Sequence, residues 1–157
     1  MDWTYDIDMT EEMEWSEVTG YPPDAPFFDL PIPIIERYTR GLCHTLALAL
    51  QAALRDAGRW TTLHAVLEPW DTHTPSGVTG LPHHIFLLDG AGHAIDVTGR
   101  RPLPDLMDRY GYWPVGEIAA SVIDEWIDME VLKPWTPEEW DRAMETARLI
   151  ADALDDD

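Results

Sequence analysis

The apolar spacing changes from helical to strand-like between residues 41 and 99, and that change restricts the fold more than any other feature. From about residue 41 to 57, Leu42, Leu46, Ala49/Leu50 and Ala53/Leu54 recur at the spacing of one helix face, and Gly58 stands where a C-terminal cap is expected. TTLHAVLE (61–68) then reads as a strand. PWDTHTPSGVTGLP (69–82) is rich in turn formers and reads as a mobile loop. HHIFLLDGAGHAIDVTG (83–99) reads as two strands around a glycine-rich turn. Strands joined by so short a turn run antiparallel, so the expected class is α+β, with a Cys-bearing helix packed on an antiparallel sheet.

Charge divides the chain in three. Residues 1–36 carry ten Asp/Glu and no Lys/Arg, 37–109 carry seven of each sign, and 110–157 carry thirteen acids against three bases. The net charge of −20 therefore resides in the two flanks, around a neutral middle block. In the first flank, Trp3, Tyr5, Ile7 and Met9 alternate with Asp2, Thr4, Asp6 and Asp8, the period of a half-buried strand. TEEMEWSEVTG (10–20) reads as a short acidic helix, and YPPDAPFFDLPIP (21–33) as an extended connector too rich in proline for regular structure. The second flank holds two expected helices, roughly 116–131 and 137–155. The later one opens with Thr136 as N-cap, Pro137 at the first helical position and Glu139 closing a capping box. Trp126, Trp135 and Trp140 fall at helical positions, as expected of side chains packing against the sheet.

At 157 residues, 45% apolar and 25% charged, the chain has the size and composition of a single globular domain. The acidic surface repels free nucleic acid and anionic membranes, and leaves a basic protein as the partner that charge alone favours. No run is long enough for a membrane span, and the acidic start differs from a secretory signal or a transit peptide. One cysteine makes no internal disulfide, which points to the cytoplasm.

That cysteine, Cys43, begins the helix. It reads either as a small buried hydrophobe or as a thiol at the positive end of a helix dipole, where the thiolate is stabilised. A nucleophile needs a base, and the base an orienting group. His44 is the poorer base, because adjacent helical side chains point about 100° apart. His83 and His84 open a strand and Asp96 lies on the next one. If Leu88 pairs with His93, Asp96 shares a face with His83; if a bulge pairs Asp89 with His93, it shares a face with His84. The sequence leaves both registers open.

GLCHTLALAL followed by HIFLLDGAGHAIDVTG resembles the core of the papain-like cysteine peptidase superfamily, nearest to its NlpC/P60-like and transglutaminase-like branches. The likeness covers about residues 38–99, and DVTG is similar to the Asp-containing segment of transglutaminase-like proteins. It implies a papain-like fold and a hydrolase or acyl transferase acting on an amide, ester or isopeptide bond of a peptide or protein. Carried over, Cys43 would be the nucleophile, His84 the base (His83 the alternative) and Asp96 its orienter, with no cofactor. The pattern departs at His44, where papain has an aromatic residue, and in lacking a glutamine before Cys43. Tyr38 and helix-start N–H groups are the remaining oxyanion donors.

Two other functions compete. Cys43, His44, His83, His84 and His93 are potential metal donors, without the paired spacing of a structural zinc site. Asp6 and Asp8 fall on one strand face about 7 Å apart, and such a row of carboxylates suits an inhibitor or immunity-type protein that occupies the basic groove of a nucleic-acid-binding partner.

Overall fold

The computed structural model describes Leu30 and residues 32–155. The expected strand at 2–9 with Asp6 and Asp8, the acidic helix at 10–20 and most of the connector lie outside the described residues. The chain runs α1 (Ile32–Arg40), α2 (Cys43–Asp56), β1 (Thr61–His73), β2 (Thr79–Asp89), β3 (His93–Asp96), β4 (Gly99–Pro102), α3 (Leu103–Arg109), β5 (Val115–Glu117), α4 (Ala120–Asp128) and α5 (Pro137–Asp155). The strands form one antiparallel sheet in the order β4-β3-β2-β1-β5. The class is α+β, with Cys43 in a helix.

Alternation along the strands supplies both sides of the sheet with apolar side chains. Leu63, Ala65, Ile85, Leu87 and Ile95 join the larger core with α1, α2, α4 and α5, whose centre includes Leu50, Leu54, Trp126, Ala147 and Ile150. Val66, Phe86 and Ala94 form a smaller core with Leu106 of α3, flanked by Tyr110 and Trp113. Full burial of Trp126 and of each large aliphatic chain contributes roughly 1.5–3 kcal/mol.

Local signals hold where they were strongest. Helix α2 ends in a Schellman motif: the Arg59 N–H donates to Leu54 O at 2.7 Å, and that of Gly58 to Arg55 O at 2.9 Å. Gly58 adopts φ +80°, the left-handed conformation that glycine takes at least cost. At the start of α5, Thr136 N–H donates to Glu139 Oε1 at 2.9 Å and Glu139 N–H to Thr136 Oγ1 at 3.1 Å, closing the capping box.

Four expectations are corrected. The 69–82 stretch is not a loop: β1 continues to His73 and β2 begins at Thr79, so most of it is strand, paired across an irregularity of register between Glu68 and His73. Backbone pairing tolerates its polar side chains, and its tip is held by Ser76, whose N–H and hydroxyl each donate to the Glu125 carboxylate at 2.7 Å. Helix α1 begins within the proline-rich connector, because Pro33 falls in its first turn, where a missing N–H costs no bond. The helix expected over 116–131 divides into edge strand β5, pairing with β1, and the shorter α4. Strand β4 and helix α3 also follow the 83–99 hairpin, where neither was expected.

Two irregularities of the sheet place the site. Asp89 and His93 are joined by a three-residue turn: Gly92 N–H donates to Asp89 O at 3.1 Å, while the Ala91 and His93 N–H groups donate to Asp89 Oδ1. Gly92 takes φ +80°, and the turn sets Leu88 against Ala94 and Leu87 against Ile95. Alternation then puts Asp96 on the face of His84 and Phe86. Val66 pairs with His84 and Leu67 with Pro82, so His83 is the extra residue of a bulge.

Candidate active site

Cys43 is the first residue of α2, and its N-cap, Leu42, offers no side chain to the helix start. The N–H groups of that first turn thus lack a capping side chain and, with the helix dipole, favour negative charge beside them. Cys43 is partly exposed and lines a cleft of about 320 Å³, together with His83, Tyr110, Leu132 and Lys133.

His84 is fully buried, and its Nε2 lies 2.8 Å from Asp96 Oδ2. An ionised carboxylate only accepts, so Nε2 carries the proton and Nδ1 is the basic nitrogen. Nδ1 is buried and has no fully formed hydrogen bond, yet thiol and ring are close enough for each to shift the other's pKa. Asp96 Oδ1 accepts from the Thr98 N–H at 2.8 Å and from its hydroxyl at 2.5 Å, while Arg101 donates to Thr98 Oγ1 at 2.9 Å. The His84 plane is set by near-parallel rings, Tyr110 at 4.9 Å and Phe86 at 6.1 Å between centroids.

Burial alone would keep these groups neutral, and their mutual contacts reverse it. Burial pushes the Cys43 thiol up, but the rings of His44 and His84 outweigh it and bring it down to about 6. Burial pushes His84 down, but hydrogen bonding and charge from Asp96 and Cys43 raise it to about 9. Asp96, raised by burial, is held at about 2 by His84 and Thr98. Between the first two values the arrangement favours a thiolate beside an imidazolium.

Comparison with family models, curated proteins and solved structures finds no match.

Of the residues singled out in the sequence, the fold brings Cys43, His84 and Asp96 together. His83 points elsewhere: it is exposed, lines the cleft and meets the edges of Tyr110 and Trp113 at 5.6 and 4.9 Å. Tyr38 does not serve the cleft, being buried in the larger core with its hydroxyl engaged by Thr146. Among the described residues, no group of three His, Cys, Asp or Glu is placed to hold a metal ion, and no helix is long and apolar enough to cross a membrane.

Three contributors were not legible as such. Thr98 had a signal, since a hydroxyl two residues after an aspartate is spaced to bond its carboxylate. Tyr110 had none, because only the turn after α3 brings it over His84. His44 was set aside on helical geometry, and its ring nevertheless acts on the thiol.

Proposed function

We propose that the protein is a papain-like cysteine hydrolase or acyl transferase acting on an amide, ester or isopeptide bond of a peptide or protein in the cytoplasm. The observation that carries this reading is the 2.8 Å bond from His84 to Asp96, which occupies Nε2 of a buried imidazole and leaves Nδ1 as the nitrogen that exchanges a proton with the Cys43 thiol. The Cys43 thiolate attacks the acyl carbon, and the carbonyl oxygen gains the displaced electron pair beside the N–H groups opening α2. The tetrahedral adduct collapses as the imidazolium of His84 gives its Nδ1 proton to the departing amine or alcohol, leaving a thioester. Water, or an amine acceptor, then loses a proton to Nδ1 and attacks the thioester, and the sulfur departs as thiolate. Asp96 holds the tautomer throughout and balances the imidazolium charge. The alternative of an acidic binding or inhibitor protein rests on the two acidic flanks, with Asp6 and Asp8 lying outside the described residues.

The test follows the rate of thiol–disulfide exchange against pH for the wild type and His84→Gln, whose amide retains a donor for Asp96. Returned fully toward the free value of about 8.5, the thiolate would be roughly 300-fold scarcer at pH 5 but about tenfold more nucleophilic. The variant should be about 30-fold slower at pH 5, faster at pH 9, and the two profiles should cross near neutrality. Parallel profiles would refute the thiol–imidazole pair. Acylation of Cys43 by an activated ester, read by mass spectrometry, should slow in the same variant and vanish in Cys43→Ala.

A further inference from the structure

We propose that the cleft beside Cys43 selects an acyl donor bearing a carboxylate, which the ammonium of Lys133 receives while the sulfur takes the acyl group. The inference rests on Cys43 being the acylated thiol and names the class of donor that the site takes. Lys133 is the only lysine in the chain, as Cys43 is the only cysteine, and the fold brings both to the lining of one cleft of about 320 Å³. The chain carries 30 Asp and Glu, yet none of the described residues lining that cleft is acidic. Its other basic side chain is His83, which can only add positive charge. A donor's carboxylate thus meets a cation and no acidic wall residue, whereas a cationic donor would meet a like charge.

The backbone of Lys133 is fixed from behind. His44 is fully buried and donates from Nε2 to the Lys133 carbonyl oxygen at 2.8 Å. Pro134 restricts the dihedral angles of Lys133 itself, and Trp135 is stacked on Trp140 at 5.8 Å. The side chain therefore leaves a held backbone, and only its own rotamers remain to be ordered when a ligand binds. Its Nζ lies 3.8 Å from Glu139 Oε2, an ion pair too long for a hydrogen bond, and the side chain is 32% exposed. Glu139 Oε1 is engaged by the Thr136 N–H in the capping box. The N–H donors of the ammonium are thus available to a carboxylate, which accepts strongly. The acidic surface and this cation act at different ranges. The field of the whole chain slows the approach of highly acidic molecules, and contact with Lys133 sorts those that arrive. The donor that satisfies both is neutral or basic overall and carries one carboxylate.

The test uses three 4-nitrophenyl esters of matched chain length: the mono-ester of adipic acid, its methyl-capped neutral counterpart and the ester of trimethylammonio-hexanoic acid. Each transfers its acyl group to the Cys43 sulfur with departure of 4-nitrophenolate, followed by absorbance and protein mass, with Cys43→Ala as background. In the wild type the carboxylate ester should acylate about tenfold faster than the neutral one, as a charge-assisted hydrogen bond allows, and the cationic ester slowest. Lys133→Met should abolish the preference and Lys133→Arg should keep most of it, while about 1 M salt should weaken it in the wild type. Equal wild-type rates for the carboxylate and neutral esters, or a preference unchanged in Lys133→Met, overturn this inference alone. If none of the three esters acylates Cys43, the proposed function falls with it. A measurement without turnover uses the wild type, where carbon-13 methylation labels Lys133 as the sole lysine side chain. Its resonance should shift with the monoamide of adipic acid and not with the neutral diamide. A resonance indifferent to both, or moved equally by both, overturns the role.

Discussion

Removing the thiol should add a pH dependence to the protein's stability in a range where the intact Cys43–His84 pair contributes none. In the folded protein Cys43 titrates at about 6 and His84 at about 9. In the unfolded chain the same groups titrate at about 8.5 and 6.5. His84, raised on folding, contributes stability that is complete below pH ~6.5 and lost as pH rises through about 9. Cys43, lowered on folding, contributes stability that is complete above pH ~8.5 and lost as pH falls through about 6. Between about pH 6.5 and 8.5 the folded pair holds one proton on the imidazole, and the unfolded pair holds one on the sulfur. No proton is taken up or released on unfolding, so the two dependences cancel.

Cys43→Ala removes one half of this balance. Asp96 still raises His84, so the folded state binds the extra proton, and stability falls by up to about 1.4 kcal/mol per pH unit above pH ~6.5. Without the thiolate the imidazole titrates below 9, which keeps the total loss under about 3.4 kcal/mol. Urea unfolding of wild type and variant at intervals from pH 6 to 9 gives the difference, in which the remaining titrating groups cancel. A difference that stays constant across that range would show that Asp96 alone does not hold His84 protonated against its burial.

Asp96→Asn should lower acyl transfer by about 10²–10⁴-fold, with the Cys43 ionisation midpoint moving up, as read by ester turnover and exchange profiles. Gly80→Ala should destabilise by about 2 kcal/mol or more in urea unfolding, because Gly80 sits at φ +100° and a Cβ there would lie 2.8 Å from the Glu68 carbonyl oxygen. Thr136→Ala should cost about 1 kcal/mol through loss of the α5 cap, and Thr136→Ser should restore most of it.

What the sequence disclosed was set by how far apart the deciding contacts lie. The Gly58 terminus and the Thr136–Glu139 cap were legible because every participant sits within a few residues. The choice between His83 and His84 was not, because it turns on the register beyond the Asp89–His93 turn, where one residue more or less exchanges the two faces. Both registers fit the apolar pattern, and it is the left-handed Gly92 that selects the one joining His84 to Asp96. The 69–82 ribbon was misread for the opposite reason: its composition favours turns, and distant backbone partners override that preference. The anchor of His44 was equally out of reach of rules about neighbours on a helix, since its Nε2 meets a carbonyl 89 residues away.

A thiolate in a chain of net charge −20 looks paradoxical, and the magnitudes remove the difficulty. Two opposite unit charges about 4 Å apart, at an effective dielectric near 20, attract by roughly 4 kcal/mol. A like charge about 15 Å away through water opposes ionisation by roughly 0.3 kcal/mol, and by less than about 0.1 once physiological salt screens it. Twenty such charges together come to about 1 kcal/mol, so the contact between sulfur and imidazole prevails and the flanks make a minor correction. The acidic surface instead governs what arrives at the cleft, because long-range fields act on encounter rates more than on groups already in contact. A strongly acidic chain and an ionised thiol are therefore compatible in one molecule, with neutral or basic molecules reaching the cleft more readily than acidic ones.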